Sequence, residues 1–220
     1  MFPRAYLTGP EIRRAIQKQE IVIEPYDAGQ VAQHSLDVHL CPVLLRYNGK
    51  RPLDLHQNSV DLFDRILMDR SGHVLEPGEF YLGATIERLV KLKRHGFIVT
   101  GKSSAARMGL AIEDAGFGEP GFCGPVTLEI KVPKPLRVYP GSPVGQLRFF
   151  DAGDPRTYEN YQVRGHYKNA LHVEGPQVSR SFAQQDRHAH WRFAGIQEGV
   201  DAVPPRLPTR RAGEAQTVPC

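Results

Sequence analysis

Short alternating runs of apolar and polar residues dominate the chain, and they predict strands rather than long helices. Residues 34–40 alternate in this way, and residues 74–82 hold a Pro-Gly turn before another run of the same kind. Residues 97–100 form an apolar, β-branched run, and residues 144–150 follow a second Pro-Gly turn. Many short strands with regular turns and few helices predict an all-β sandwich or a closed, barrel-like fold.

One segment near the N-terminus departs from this pattern and predicts a short amphipathic helix over residues 7–19. Thr8 stands at the N-cap position, and Glu11 follows three residues later, as a capping box requires. Pro10 lies in the first turn, where its missing N–H costs nothing. We therefore expect a mainly β fold with one N-terminal helix.

The composition indicates a globular protein of one domain. The chain has 220 residues, of which 40% are hydrophobic and 24% are charged, so it can bury a sizeable core. Its formal net charge is +4 and its pI is about 9.0. This balance mildly favours an anionic ligand. The basic residues are scattered along the chain, however, and we expect no nucleic-acid partner.

The sequence also predicts a cytoplasmic location. Residues 1–15 lack the apolar segment of a signal peptide, and no run approaches the length of a membrane span. The cysteines Cys41, Cys123 and Cys220 are widely spaced and form no C-x-x-C motif, which favours reduced thiols. We expect a soluble protein with no membrane partner.

Most of the candidate binding and catalytic residues lie in residues 101–129. Ser103 and Ser104 supply hydroxyl and backbone donors, and Arg107 supplies a planar fork for phosphate oxygens. Residues 105–108 are good helix formers, so one helical turn is predicted over residues 104–108. Glu129 lies within an alternating run over residues 126–130, where a half-buried carboxylate needs a partner or a chemical role.

Other catalytic motifs fit poorly. The run His172-Val173-Glu174 imitates the H-x-E motif of zinc deaminases but lacks a downstream P-C-x-x-C, so we expect no zinc site. Ser103 lies in no G-x-S-x-G elbow, and no Walker loop precedes it. From the residues alone, two interpretations stay open: a nucleotide site, or a surface turn together with a salt-bridged glutamate in a strand.

Several motifs in order resemble the dCTP deaminase branch of the trimeric dUTPase superfamily. Residues 102–110 read KSSAARMGL, against a family pattern of R-S-S-x-A-R-x-G-L. Residues 115–129 read AGFGEPGFCGPVTLE, against A-G-F-I-D-P-G-F-x-G-x-I-T-L-E. Flanking matches include S-x-D-V at residues 35–38 and G-Q-L at residues 145–147. The resemblance covers roughly residues 7–182.

The resemblance implies a distorted β-barrel or jelly-roll-like fold of the dUTPase type, assembled as a homotrimer with sites between subunits. It makes residues 1–182 one domain, in which a tail over residues 151–182 closes the site. Residues 183–220 then form a partly disordered extension.

The resemblance also implies the roles of the site residues. Glu129 would shuttle protons during zinc-free deamination, which needs a partly buried carboxylate that can both accept and donate. The remaining residues would bind the substrate, a pyrimidine deoxynucleoside triphosphate with Mg²⁺ on its phosphates: Lys102, Ser103, Ser104 and Arg107 at the phosphates, Glu119 near the deoxyribose, Thr127 beside the base, and Tyr158 or Tyr161 with His166 in the tail.

The chain departs from the family pattern at several of these positions. Lys102 replaces an arginine, Glu119 an aspartate and His166 a lysine.

The expected activity is hydrolytic deamination of dCTP, or of a close pyrimidine deoxynucleotide, to dUTP and ammonia. The alternatives are a bifunctional enzyme that releases dUMP, a dUTP diphosphohydrolase, or a non-catalytic nucleotide-binding regulator.

Overall fold

The computed structural model of the protein describes residues 6–55, 59–112, 115–165, 173, 175 and 176. Three predicted features lie outside these residues: the tail residue His166, the histidine of the H-x-E run, His172, and the extension over residues 183–220. The domain boundary at residue 182 therefore stays a prediction.

The N-terminal helix forms where the sequence predicts it. Helix α1 spans Gly9–Gln17 and begins with the expected capping box. Glu11 accepts hydrogen bonds from the main-chain N–H of Thr8 at 2.9 Å and from its hydroxyl at 2.8 Å. The first of these bonds satisfies a main-chain donor that the start of the helix leaves open. Ile12 and Ala15 are buried and anchor the helix to the core.

The rest of the described chain is mainly β, as predicted. The strands are β1 (Ile21–Glu24), β2 (Leu36–His39), β3 (Val43–Tyr47), β4 (Phe63–Leu67), β5 (His73–Leu75), β6 (Tyr81–Leu92), β7 (His95–Gly101), β8 (Phe117–Gly118), β9 (Gly124–Ile130), β10 (Leu136–Val138) and β11 (Pro143–Asp151). Short helices α2 (Ser103–Ala106) and α3 (Tyr161–Arg164) follow β7 and β11. Three single-turn 3₁₀ helices span Ala28–Gln30, Val60–Leu62 and Pro155–Thr157.

Antiparallel pairing joins these strands into sheets that pack on a common core. One sheet has the order β1-β6-β3-β4, with β9 also paired to β6. A second has the order β2-β11-β7-β8, and β10 pairs with β5. The core lies between their inner faces and contains fully buried side chains such as Leu36, Leu128 and Phe149. None of the helices in the described residues is long and apolar enough to cross a membrane.

Candidate active site

A cavity of about 550 Å³ opens between β9, the middle of β7, the start of β6 and the segment around β8. Its walls contain four of the residues that the sequence singled out: Thr127, Glu129, Glu119 and Tyr161. Four phenylalanine side chains contribute most of its aromatic surface: Phe80, Phe97, Phe117 and Phe122. A few polar groups in a mainly apolar hollow are typical of small-molecule sites.

The register of β9 decides which of its side chains reach the cavity. Thr127 pairs with Ala84 and Glu129 with Leu82 of β6. Successive side chains of a strand point to opposite faces, so Leu128 is fully buried in the core while Thr127 and Glu129 line the cavity. Both cavity side chains are half-buried. The backbone ladder therefore holds the carboxylate of Glu129 at the wall of a largely apolar space.

The segment after β11 folds back over the cavity. The main-chain N–H of Tyr161 donates to the carbonyl of Pro120 at 3.1 Å. Gln162 donates its side-chain amide to the carbonyl of Gly121 at 2.7 Å. The ring of Tyr161 lies 5.6 Å from that of Phe122. Of the two tyrosines that the sequence left open for this role, the structure places Tyr161 at the cavity.

The floor of the cavity depends on Phe97, which the sequence analysis missed. A Cβ added to Gly118 would lie 2.0 Å from Cε1 of Phe97, so the phenylalanine ring fills the space in front of this glycine. The ring of Phe97 is buried and lies 5.4 Å from that of Phe122. One signal could have found it: Gly118 stands where the family pattern has isoleucine, so another side chain must fill that volume.

The predicted phosphate ligands lie elsewhere on the chain. Lys102, Ser103, Ser104 and Arg107, here named the α2 cluster, surround helix α2, and none of them lines the cavity. Ser103, Ser104 and Arg107 are exposed. Lys102 is more enclosed, and its ammonium group forms an ion pair with the carboxylate of Asp37. Within one chain, the structure does not bring the α2 cluster and Glu129 together in one pocket.

The described residues offer no metal centre of their own. No group of three or more His, Cys, Asp or Glu side chains among them is arranged to hold a metal ion. Asp37, His39 and Glu87 lie near one another, but Glu87 is engaged by the ring Nδ1 of His39 at 2.6 Å and by Gln30 at 2.7 Å. A metal ion that takes part would need ligands from another source, such as the phosphates of a nucleotide.

Comparison with known proteins agrees with the sequence resemblance. The family model described as dCTP deaminase-like matches residues 6–152. A protein of Cytophaga hutchinsonii named "dCTP deaminase, dUMP-forming" is 36% identical over 179 residues, which is 80% of this chain and 98% of the relative. A protein of the same name from Pseudarthrobacter chlorophenolicus is 33% identical and covers 78% of this chain and 92% of its own length.

A solved structure shows the same fold. The crystal structure of 2′-deoxycytidine 5′-triphosphate deaminase from Agrobacterium tumefaciens superposes with a TM-score of 0.52 at 25% identity. The match covers 66% of this chain and 47% of the solved chain. The fold, the motifs and the matched length agree, and the chain belongs to the dCTP deaminase-like family.

Proposed function

We propose that the protein converts dCTP to dUMP by two hydrolyses, which release ammonia and pyrophosphate. The observation that carries the proposal is the position of Glu129, half-buried in the cavity beside Thr127. The relatives from Cytophaga hutchinsonii and Pseudarthrobacter chlorophenolicus, both named as dUMP-forming dCTP deaminases, support this product over dUTP.

In the first hydrolysis, Glu129 acts as the proton shuttle. Its carboxylate removes a proton from a water molecule, whose oxygen attacks C4 of the cytosine ring. The same group then delivers the proton to the amino group, which leaves as ammonia. The remaining hydroxyl proton on C4 moves to ring N3, which leaves the new oxygen as a carbonyl. General acid–base catalysis of this kind contributes roughly 10²- to 10⁴-fold to a rate. Thr127 flanks the base.

The α2 cluster binds the triphosphate. Lys102 and Arg107 supply positive charge, and Ser103 and Ser104 supply hydroxyl donors for phosphate oxygens. Mg²⁺ would be held by phosphate oxygens of the substrate together with several water molecules. Three of the four residues of the cluster are exposed, and none of the four lines the cavity of the same chain. We therefore place the cluster in the site of a neighbouring copy, in a homotrimer.

The second hydrolysis is cleavage between the α- and β-phosphates. The side chain at position 119 affects whether this step can occur. This side chain lines the cavity but stands where the family pattern has the shorter aspartate. The extra methylene moves the carboxylate away from the position that an aspartate would give it. This change favours a second candidate, an enzyme that deaminates dCTP and releases dUTP uncleaved.

One assay separates the candidates. The protein is incubated with dCTP or dUTP in the presence of Mg²⁺, and ammonia and pyrophosphate are measured. Equal amounts of both products from dCTP support the proposal, and ammonia alone supports release of dUTP. Pyrophosphate from dUTP without ammonia from dCTP indicates a diphosphohydrolase. Nucleotide binding without either product indicates a regulator.

The substitution Glu129→Gln tests the proton shuttle. It keeps the shape of the side chain but removes its ability to exchange protons, so we expect ammonia release to fall at least about 100-fold while dCTP binding changes little. Glu24→Gln is the matched control, since Glu24 is an exposed glutamate at the end of a strand. Full turnover in the Glu129 variant would remove this residue from the mechanism.

A further inference from the structure

Two motifs that match the family pattern have received no role so far. Asp37 is the acidic residue of S-x-D-V, and Gln146 is the glutamine of G-Q-L. They are 109 positions apart in sequence, yet β2 and β11 pair so that Gln146 lies directly opposite Asp37. Both motifs therefore converge on one point of the second sheet.

That point is Lys102. The carboxylate of Asp37 bonds through Oδ2 to the ammonium group of Lys102 and accepts through Oδ1 a hydrogen bond of 2.8 Å from the side-chain amide of Gln146. The main-chain N–H of Lys102 donates to the carbonyl of Val144 at 2.9 Å. The lysine is thus fixed at its backbone by β11 and at its ammonium group by β2.

The burial of this group makes the contact more than a surface ion pair. The side chains of Lys102 and Asp37 are 26% and 23% exposed, whereas those of the surface pair Arg51–Asp61 are 41% and 66% exposed. Partial burial reduces screening by solvent and salt. A lysine side chain also has four rotatable bonds, and holding it in one arrangement before a ligand arrives removes an entropy cost from binding.

We infer that Asp37 and Gln146 are positioning residues, which hold the ammonium group of Lys102 ready for the triphosphate of the substrate. An ammonium group has three donor hydrogens, so one can remain on Asp37 while the others reach phosphate oxygens. Fixing the group matters more for a lysine than for the arginine of the family pattern, because a lysine lacks the rigid planar fork that orients an arginine by itself. This inference rests on the proposed function.

The test is the affinity for dCTP with Mg²⁺, measured by titration calorimetry in the Glu129→Gln background so that the substrate is not consumed. Asp37→Asn keeps the shape and the acceptor for Gln146 but loses the charge that holds Lys102. We expect the dissociation constant to rise about tenfold, the effect of freeing one long side chain. The variant Lys102→Arg, whose cation can also reach Asp37, retains most of the affinity.

A double-mutant cycle distinguishes positioning from a merely structural role. In a Lys102→Gln background, Asp37→Asn should weaken binding no further, because the group that it positions is gone. Asp61→Asn is the matched control, which removes the surface pair with Arg51 and should leave the dissociation constant unchanged.

Three results overturn the inference while leaving the proposed function intact: unchanged affinity in Asp37→Asn, an equal loss with and without Lys102, or tighter binding. Tighter binding would mean that Asp37 competes with phosphate for the lysine. A different result would overturn the proposed function and this inference together: neither the wild-type protein nor the Glu129→Gln protein without further substitutions binds dCTP.

Discussion

Gly118 and Phe97 share one volume at the floor of the cavity. The ring of Phe97 lies where any side chain at position 118 would have to go. Gly96 and Phe150 repeat the arrangement on strands β7 and β11, since a Cβ on Gly96 would lie 2.3 Å from the ring of Phe150. In both cases a glycine in one strand leaves room for a phenylalanine from its neighbour.

This close fit predicts a large effect from a small change. Gly118→Ala should push the Phe97 ring out of place and lower the free energy of unfolding by about 1–3 kcal/mol, as overpacking usually does. Urea denaturation measures it. Adding Phe97→Leu should recover part of the loss, because the two sites share one space. Strictly additive effects would show that the alanine is accommodated elsewhere.

His95 is a second side chain with a measurable consequence. It is only 4% exposed, and its Nδ1 has no hydrogen-bond partner among the described residues. Burial lowers the pKa of His95 from its ordinary 6.5, and Arg94 lowers it further, while Asp151 and Glu20 act in the opposite direction. The folded protein therefore holds this imidazole in its neutral form more strongly than the unfolded chain does.

The free energy of unfolding should accordingly fall as the pH drops below about 6.5. In that range the unfolded chain binds a proton that folded His95 does not, with a slope of up to about 1.4 kcal/mol per pH unit until the folded group titrates as well. Urea denaturation between pH 5 and pH 8, a range chosen around the ordinary histidine pKa, measures the slope.

His95→Asn should reduce that slope, and His34→Asn, at an exposed position, should not. Part of the slope will remain in both variants, because burial also lowers the pKa of His73. Equal slopes in the wild type and in His95→Asn would show that His95 does not contribute.

At the scale of elements, the docking of α3 over the cavity depends on the turn at Gly121. This residue has a φ of +87°, a conformation that glycine adopts most readily. A Cβ there would lie 2.0 Å from the side-chain oxygen of Asn160, which caps α3. The segment from Tyr161 therefore packs against a backbone that must lack a side chain.

Gly121→Ala should lift this segment from the cavity and raise the KM for dCTP, because Tyr161 would no longer cover the site. Gly153→Ala is a matched control. Its φ is +88°, so it has the same backbone cost, but its Cβ would meet nothing within 4 Å. We expect faster proteolysis after residue 151 in the first variant than in the second. Equal KM values and equal cleavage would contradict the role of the contact.

The same elements show what sequence patterns can and cannot predict. Alternation located β2 and the cavity face of β9, and the capping box located α1, because these signals are local. Strand β8 has only two residues and exists through pairing with β7, where Ile98 lies opposite Phe117. Strand β3, Val-Leu-Leu-Arg-Tyr, has no clear alternation of apolar and polar residues. The positions of Phe97 at the cavity and of Asp37 at Lys102 are tertiary contacts between distant segments, which no local pattern contains.

At the scale of the whole molecule, the proposed site needs two copies of the chain. Glu129 lines a cavity, the α2 cluster lies outside it, and Met108 next to the cluster is 67% exposed. A site shared between subunits places residues of one copy against another around a closed symmetry axis.

Mixing two impaired variants tests this directly. Glu129→Gln should be inactive, and Arg107→Ala should bind dCTP weakly. If each site combines Glu129 of one copy with Arg107 of another, about one quarter of the sites in a random equal mixture regain both residues. Ammonia release at low dCTP should then exceed the sum of the separate variants after they are unfolded and refolded together.

The control mixture contains the Glu129→Gln variant and a double variant that carries both Glu129→Gln and Arg107→Ala. No site in the control mixture can combine Glu129 with Arg107, so activity should not return. If the first mixture also stays at the sum of its parts, both residues act within one chain.

Strand β6 is hydrogen-bonded to β1, β3 and β9 along its length. A slip of β9 by a single position would turn Glu129 into the core and bring Leu128 to the cavity, because strand side chains alternate between faces. Such a slip would break ladder bonds on a strand that is held from both edges. Inserting or deleting one residue in β6 or β9 should thus damage this protein far more than replacing a side chain on the cavity wall. The residues of that wall can therefore vary while the position of the Glu129 carboxylate stays the same.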